Sequence, residues 1–339
     1  EMKYKIFFEQ GDRHDATIHY VNIIKKALER ESGEDVLIVD NIKQIEKTEI
    51  VVVVNAKAHL KLLLKNRKQK VICWYQGIMP EEILVNYTKK DKWLKYILWR
   101  CFEYISLKLV SFALFVSDRM KYHYENKYKI KFKDNFYVMP CFNQKLIEES
   151  FFVKEKYKTP SFVYAGTMSK WQCIDEMLQI YKEIKSKIPN ATLTLYTSEK
   201  KEAQDYLKKY KLENVLIDHL PYNQLFEALQ HYKYGFIIRK DIEMNRVATP
   251  TKMNTYLANG VIPIYSNYIF AFKEGLKNTQ YQVEISNNDE VIEKIITFEE
   301  KSIEAINLLE DYKSTVFSHF YSEDFHINNL IEKIKKTNL

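Results

Sequence analysis

Short runs of β-branched and aromatic residues alternate along the first half of the chain with longer stretches whose apolar residues recur at helical spacing. These runs, the predicted strands, occupy residues 4–8, 36–39, 50–54, 71–74, 112–117 and 136–139. Uninterrupted apolar strands separated by helices are typical of a parallel sheet that is covered on both faces. The pattern therefore predicts an α/β domain over residues 1–150.

The second half begins the same alternation again after a polar stretch, rich in Lys and Glu, between Pro140 and Pro160. Its predicted strands occupy residues 161–165, 192–196, 215–217, 234–238 and 261–264. They predict a second α/β domain over residues 151–315, followed by a helical tail, residues 316–339, that could cross back to the N-terminal domain. We expect two doubly wound, Rossmann-like parallel sheets that face each other across a cleft.

The composition agrees with two globular domains and disfavours several other classes of protein. A chain of 339 residues exceeds the size at which a single core stops growing, and 46% hydrophobic residues can fill two cores. The cysteines show no metal-ligand spacing, which favours a reduced, cytoplasmic protein. No secretion signal is recognisable at the N-terminus. Residues 94–116, the most apolar window, include Lys95, Arg100, Glu103 and Lys108, so they are not expected to cross a membrane.

Positive charge is concentrated in the first half. Residues 1–150 contain 27 Lys and Arg against 20 Asp and Glu, whereas residues 151–339 contain 25 of each, so the net charge of +7 belongs entirely to the first half. This asymmetry suggests an anionic partner for that half, such as a phosphorylated acceptor or an acidic membrane surface. A lysine-rich surface exposed to solvent explains it equally well.

Two loops that follow predicted strands of the second half carry groups suited to binding phosphate. Ligands of open parallel sheets bind beyond the carboxyl ends of the strands, where helix N-termini favour anions. In the first loop, Gly166 permits close backbone approach, and Thr167 and Lys170 could donate to phosphate oxygens. Taken alone, an ordinary strand-to-helix turn is the simpler interpretation of this loop.

The other loop brings three cations close together in the sequence. Arg239 follows a predicted strand, Arg246 lies in the loop, and Lys252 lies in the first turn of a helix that Pro250 would begin. Their convergence on a helix N-terminus would form a phosphate-binding site, and a salt-bridged surface loop is the alternative. The phosphate-binding sequences GxGxxG and GxxxxGK[ST] are absent.

A third loop, in the first half, suits the recognition of hydroxyl groups. Gln76 and Gly77 follow a predicted strand and offer an uncharged amide side chain beside accessible backbone. Glu81 and Glu82 come next and are interpreted as the first turn of a helix.

Together, these three loops resemble the GT-B glycosyltransferases, most nearly the retaining family 4 group and its capsular-polysaccharide relatives. Residues 250–264, PTKMNTYLANGVIPI, are similar to the signature PTKxxEYLAxGxPVI of that group. Residues 162–172 are similar to its FxYxGxxSxWQ strand and loop, and residues 76–82 are similar to the QGxxPEE loop of the capsular relatives. The order and spacing of the elements agree over nearly the whole chain, so the resemblance implies the GT-B architecture.

The resemblance also implies partners and site residues. A nucleotide-sugar donor would bind the second domain, and a glycan or lipid-linked glycan acceptor would bind the first. No metal or other cofactor would be required, and the absence of any Asp-x-Asp sequence agrees with this. Arg239 and Lys252 would stabilise the leaving diphosphate. The other donor-binding residues would be Gly166, Thr167, Lys170, Gln172, Tyr222, Asn245, Arg246, Pro250, Thr251 and Thr255, and the acceptor-binding residues Gly11, Gln76 and Gly77.

Several positions depart from the family pattern. Thr167 stands where the family has Arg, Gln172 where it has Lys, and Thr255 where it has the glutamate that binds the donor ribose. A neutral threonine should bind ribose more weakly than a carboxylate. Gln76 replaces the family histidine near the reacting sugar, so no residue can be named as a catalytic base.

The expected function is metal-independent transfer of a sugar, as by a hexosyltransferase, to a bacterial cell-surface polysaccharide such as a capsule or to a lipid-linked oligosaccharide. The alternative is a non-catalytic GT-B subunit that binds a partner glycosyltransferase or a membrane. Basic and aromatic residues are interspersed over residues 89–109, which resembles a surface that docks on the inner face of the plasma membrane. A core-packed helix with one basic face is the other interpretation, and nucleic-acid binding is not expected because no recognised module is present.

Overall fold

The computed structural model describes residues 3–337 and 339 and divides the chain into two compact units. The first unit runs to Asn143 and takes in Arg246–Thr249 and Ser322–Leu339, and the second contains Gln144–Asn245 and Pro250–Tyr321. The division therefore comes a few residues before the boundary of 150 expected from the sequence. The C-terminal segment that belongs to the first unit begins at Ser322 rather than at 316.

A parallel sheet covered by helices forms the first unit. Its strands are β1 (Tyr4–Phe7), β2 (Leu37–Val39), β3 (Ile50–Val53), β4 (Lys70–Tyr75), β5 (Phe112–Phe115) and β6 (Phe136–Val138). The helices along this part of the chain are α1 (Asp15–Ser32), α2 (Ala56–Lys65), α3 (Met79–Asn86), α4 (Lys92–Leu109) and α5 (Asp118–Tyr128). The strands pair in parallel in the order β2-β1-β3-β4-β5-β6. Every side chain of β1, β3 and β5 is buried, as the unbroken apolar runs of β3 and β5 predicted. In β1 the buried side chains include Lys5, which pairs with Glu49.

The second unit repeats this architecture. Its strands are β7 (Ser161–Ala165), β8 (Thr192–Tyr196), β9 (Leu216–Asp218), β10 (Tyr234–Ile237), β11 (Ile262–Ser266) and β12 (Val283–Ile285). The helices that follow along the chain are α6 (Ile174–Lys187), α7 (Lys200–Tyr210), α8 (Tyr222–Leu229), α9 (Glu243–Val247), α10 (Thr251–Ala258), α11 (Phe270–Gly275), α12 (Asn288–Glu300) and α13 (Ala305–Thr315), and the last helix of the chain is α14 (Glu323–Thr337). The strands pair in parallel in the order β12-β11-β10-β7-β8-β9.

The strand order changes direction once in each sheet. In the first sheet the change lies between β1 and β3, and in the second it lies between β7 and β10. At such a point the connections after two neighbouring strands run to opposite sides, which opens a crevice at the carboxyl edge of the sheet. The fold therefore favours ligand binding at the loops after β1 and β3 and at the loops after β7 and β10.

The C-terminal helix α14 belongs to the first unit. It packs against α1 and β6, and Tyr137 Oη lies 2.8 Å from His326 Nδ1 in a buried hydrogen bond. The segment Arg246–Thr249 belongs to the same unit, where Ser117 Oγ donates to the carbonyl of Val247 (2.6 Å). Within the described residues, no helix is both long enough and apolar enough to cross a membrane.

Some short elements were not predicted. Strand β12 and helix α11 have no counterpart among the expected elements, and α3 begins inside the segment 76–82 that was interpreted mainly as a loop. Each is only a few residues long, so its apolar positions do not repeat often enough to reveal a period.

Candidate functional site

The loop after β7 and the first turn of α10 meet at Gly166. A Cβ atom at this position would lie 2.8 Å from Tyr164 Oη and 3.0 Å from Lys252 Nζ. Any side chain would therefore displace the lysine ammonium or the tyrosine hydroxyl. Glycine at this position lets the loop backbone approach Lys252 and Tyr164 closely.

Lys252 is buried at its charged end. Its Nζ is shielded from solvent and has no hydrogen-bond partner among the residues that the structure describes, and it lies 4.6 Å from the centre of the Tyr164 ring. Burial and, next, the positive charge of Arg239 hold the pKa of Lys252 well below its ordinary value. Leaving a buried donor unsatisfied costs about 1–3 kcal/mol. The arrangement is therefore costly for the empty protein and favours an anionic ligand.

Arg239 follows β10 at the same edge of the sheet. Its backbone N–H donates to Ser266 Oγ (2.8 Å), and its guanidinium donates to Gln172 Oε1. Burial lowers the pKa of Arg239. Within the described part of the chain, neither Arg239 nor Lys252 has a carboxylate among the groups that influence its pKa. A buried ammonium and a partly buried guanidinium, beside a helix N-terminus and without a counter-ion among the described residues, can bind the oxygens of a phosphate or diphosphate.

Two residues of the loop after β7 have exposed side chains near this centre. Thr167 and Lys170 are exposed. The hydroxyl of Thr167 lies 2.8 Å from Ser169 Oγ, and its carbonyl accepts a hydrogen bond from Tyr164 Oη (2.6 Å). The backbone of this loop is thus fixed, whereas these two predicted side chains remain accessible to a ligand.

Two predicted donor-binding residues make local hydrogen bonds. The hydroxyl of Thr255 donates to the carbonyl of Thr251 within α10 (3.2 Å), and the amide of Asn245 donates to the carbonyl of Lys240 (2.8 Å). Both side chains are buried. The hydroxyl hydrogen of Thr255 already makes a hydrogen bond within α10. It is therefore less suited to binding a ribose hydroxyl than the glutamate expected at this position.

The remaining predicted residues of this group are placed as follows. Pro250 is the N-cap of α10, and Thr251 is its first residue. Arg246 lies in the segment that belongs to the first unit, so the second unit on its own brings together two of the three predicted cations. The side chain of Tyr222 lies outside the described side chains.

An open pocket of about 470 Å³ lies at the change in strand order of the first sheet. It is lined by Asp12, His14, Thr17, Asn55, Ala56, Lys57, Tyr75, Gln76, Gly77, Met79, Glu82, Trp99, Glu103 and Tyr124. Gln76 and Gly77, two of the residues predicted to bind the acceptor, are on its wall, and Gly11 precedes the lining residue Asp12. The pocket therefore occupies the place where the fold favours a ligand.

The polar groups of the pocket wall are held by the loops that follow the strands. The side-chain NH2 of Asn55 donates to Asp12 Oδ2 (3.1 Å). The side-chain oxygen of Asn55, Oδ1, caps α2 by accepting a hydrogen bond from the N–H of Ala58 (2.8 Å). The Gln76 amide donates to the carbonyl of Val54 (2.8 Å). These bonds fix the lining side chains before any ligand arrives.

Several pocket residues were missed by the sequence reasoning. Asp12 and Asn55 follow predicted strands, so their position at the carboxyl edge could have been recognised. Glu82 and Trp99 come from α3 and α4, and only the packing of these two helices brings them to the pocket. No local sequence signal marks that contact.

Helix α4 exposes apolar side chains along one face. The exposed residues are Trp93, Leu94, Ile97, Leu98, Phe102, Tyr104, Ile105 and Leu109. Their spacing, mostly one, three or four, places them on one side of the helix, which we call the α4 apolar face. The buried residues of this helix are Glu103, Ser106 and Leu107. The expected alternative, a helix that packs its apolar residues on the core, does not describe this arrangement.

Metal ligands are not grouped in the part of the chain that the structure describes. No cluster of three or more His, Cys, Asp or Glu side chains is placed there to hold an ion. Cys73, Cys101, Cys141 and Cys173 are all free thiols. Whether the reaction needs a metal stays a prediction from the resemblance.

The two six-stranded parallel sheets with flanking helices form the α/β two-domain architecture of the GT-B glycosyltransferases. No protein-family model matches the chain, and the comparison with curated proteins found no significant match.

Solved structures that the chain resembles include TarM from S. aureus, in complex with fondaparinux, alpha-GlcNAc-glycerol and UDP. The TM-score is 0.60 at 12% identity, over 87% of this chain and 56% of TarM, so the chain spans little more than half the length of that protein. The pneumococcal O-GlcNAc transferase GtfA, in complex with UDP and GlcNAc, has a TM-score of 0.51 at 13% identity, over 87% of this chain and 58% of GtfA. The trehalose 6-phosphate synthase of Burkholderia multivorans has a TM-score of 0.60 at 8% identity, over 98% of this chain and 78% of the synthase.

Proposed function

We propose that the protein is a glycosyltransferase whose nucleotide-sugar donor binds the second unit with its diphosphate at Arg239 and Lys252. The observation that carries the proposal is the buried ammonium of Lys252 beside Gly166, with the partly buried guanidinium of Arg239 close to it, at the point where the strand order changes. The presence of UDP in the TarM and GtfA complexes supports a uridine diphosphate sugar as the first donor to test. The similarity to the family 4 group supports a hexosyl donor and retention of configuration.

The chemistry follows from the charge of the site. Breaking the bond between the sugar and the diphosphate places negative charge on the leaving group. A buried ammonium and a partly buried guanidinium that are already fixed can stabilise this charge with little reorganisation of solvent. Arg239 is oriented by Gln172, and Lys252 is held over the Tyr164 ring. The residues present can therefore assist departure of the diphosphate without a metal.

Donor hydrolysis and transfer provide the direct test. The protein is incubated with UDP-glucose, UDP-N-acetylglucosamine and GDP-mannose, with and without EDTA, and release of nucleoside diphosphate is measured. We expect release from at least one donor, unaffected by EDTA and reduced by Lys252→Met. Tight nucleotide binding without turnover for any donor and acceptor would favour the alternative, a non-catalytic subunit.

The acceptor in this proposal is a cell-surface polysaccharide or a lipid-linked oligosaccharide reached at the cytoplasmic face of a membrane. The α4 apolar face supports membrane contact, because Trp93 and Leu94 are 64% and 61% exposed. The exposed Lys89 and Lys90 lie just before this helix. A helix that combines an exposed apolar face with basic residues binds anionic lipid surfaces. We therefore assign the face to an anionic bilayer rather than to a second protein.

Sedimentation with lipid vesicles tests this assignment. The protein should bind vesicles of phosphatidylcholine with phosphatidylglycerol more strongly than vesicles of phosphatidylcholine alone. Leu94→Gln with Ile97→Gln should abolish binding, whereas the matched control Leu216→Gln with Ile306→Gln, on exposed apolar residues of the second unit, should not. If the first variant instead converts a dimer to a monomer, and the native protein ignores both kinds of vesicle, the face binds a second copy of the chain.

A further inference from the structure

The carboxylate of Glu82 is built into the wall of the pocket in the first unit. A Cβ atom on Gly77 would lie 2.2 Å from Glu82 Oε1, so the carboxylate occupies the space that a side chain at position 77 would fill. The carbonyl of Gly77 is held from another direction by Tyr124 Oη, which donates to it (2.8 Å). Glycine at this position thus allows the carboxylate to lie directly against the loop after β4.

Glu82 differs from the two other glutamates near it. Lys127 Nζ lies 2.8 Å from Glu81 Oε1 and 2.9 Å from Glu103 Oε2, and Tyr128 Oη donates to Glu103 (2.5 Å). No ion pair with Glu82 is found among the described residues. Its carboxylate accepts a backbone hydrogen bond from Ile78, which leaves further lone pairs free. Glu82 is therefore the carboxylate of this group whose charge is not matched by a cation.

The electrostatic environment of Glu82 agrees with this geometry. The pKa of Glu82 is raised, mainly by burial and to a smaller extent by the neighbouring charge of Glu81. The hydrogen bond from Ile78 acts in the opposite direction and only partly offsets this increase. A partner that donates hydrogen bonds to the carboxylate would offset the burial. The pocket provides room for such a partner.

The lining of the pocket defines the chemistry of that partner. Asp12, Glu82 and Glu103 contribute three carboxylates to the lining, of which Glu103 is paired with Lys127. Lys57 is the lysine of the lining, and it is exposed. A phosphate group would meet net negative charge here. Hydroxyl and ammonium groups would instead find acceptors, and the half-buried ring of Trp99 offers an apolar surface for a sugar ring.

We infer that Glu82 is a specificity-determining residue of the acceptor site, and that the group it binds in this pocket is an uncharged or amino sugar rather than a phosphorylated one. The inference rests on the proposed function, because it takes the pocket to hold the acceptor. On this inference, the positive charge of the first half does not determine what binds in the pocket, although the sequence had suggested an anionic acceptor for that half. Lys57 is the lysine of that half which lines the pocket.

The test measures sugar binding without any donor, by saturation-transfer NMR. The probes are glucose, glucosamine and glucose 6-phosphate, used with the full chain. Glucose and glucosamine should bind, and glucose 6-phosphate should bind at least tenfold more weakly. Glu82→Gln, which keeps a hydrogen-bond acceptor for Ile78, should weaken glucosamine binding at least tenfold. The matched control Glu81→Gln, in the same helical turn, should leave it unchanged.

A second variant tests the geometry without removing the charge. Gly77→Ala places a methyl group where Glu82 Oε1 lies, so it should also weaken binding, and its melting temperature reports whether it folds. Binding of glucose 6-phosphate equal to that of glucose, insensitivity of all probes to Glu82→Gln, or no binding of any sugar would overturn the inference. Nucleotide binding is measured separately on the same samples, so failure of the donor site remains distinguishable from failure of this pocket.

Discussion

Replacing Lys252 by methionine should change stability and nucleotide binding in opposite directions. The ammonium is buried without a hydrogen-bond partner among the described residues, and leaving such a donor unsatisfied costs about 1–3 kcal/mol. Methionine fills a similar volume without this cost, so the empty protein should become more stable. For a domain of this size, each kcal/mol corresponds to about 2–4 °C in melting temperature.

The same change should weaken diphosphate binding. A hydrogen bond between an ammonium and a phosphate oxygen contributes about 1.5–3 kcal/mol, which corresponds to about a 10- to 150-fold change in Kd. The loss should be largest for UDP and UDP-sugars and small for uridine, because uridine has no phosphate for Lys252 to contact.

Thermal unfolding with and without UDP, together with calorimetric titration, measures both effects on one sample. Lys182→Met is the matched control, because Lys182 is exposed on α6, and it should change neither quantity. A Lys252→Met variant that is less stable than the native protein and binds UDP equally well would refute the reasoning. That outcome would make Lys252 a structural residue of the core.

Three further predictions follow from other features. Gly166→Ala should weaken UDP binding at least tenfold, about 1.4 kcal/mol, because the new methyl group would meet Lys252 Nζ. Calorimetric titration measures this, and unchanged affinity would contradict the prediction. Burial lowers the pKa of Lys156 from 10.5 to about 7, so between these values the unfolded chain binds more protons. Stability relative to Lys156→Met should therefore rise by about 2 kcal/mol from about pH 7 to pH 9, measured by urea unfolding, and a flat difference would contradict it. Vesicle binding should weaken steeply between about 0.05 and 0.5 M salt, whereas sugar binding at Glu82 should not, and parallel salt dependence would contradict the separation of the two surfaces.

Much of the fold follows from the sequence because the central strands are buried on both faces. Strand β3 is continuous Ile and Val, so no polar position interrupts its signal, and the parallel arrangement follows from the helices between the strands. Strand β12 is three residues long and only partly buried, and its Val-Glu-Ile sequence alternates over too few residues to be distinguished from a loop. Its place in the sheet is decided by pairing with β11.

In the candidate donor site, the sequence indicated the proximity of Arg239 and Lys252 but not the position of Arg246. Arg239 and Lys252 were predicted to lie together because one follows a buried strand and the other begins a helix, and such positions meet at the carboxyl edge of a parallel sheet. The structure places the two charges close to each other. Arg246 looked equivalent in the sequence, yet it lies in the segment that belongs to the first unit. Membership of a unit depends on contacts distant in sequence, which no local pattern records.

The distribution of charge in the first unit is the point where structure changes the interpretation most. The excess of Lys and Arg in the first half suggested an anionic acceptor, but the pocket of this unit presents Asp12, Glu82 and Glu103. Net charge acts over a whole surface, whereas recognition depends on the few groups within contact distance. A unit can therefore carry lysines that attract an anionic membrane and a pocket whose carboxylates select sugar hydroxyls. An acceptor that combines both features, a neutral sugar attached to an anionic lipid, would satisfy the two surfaces at once.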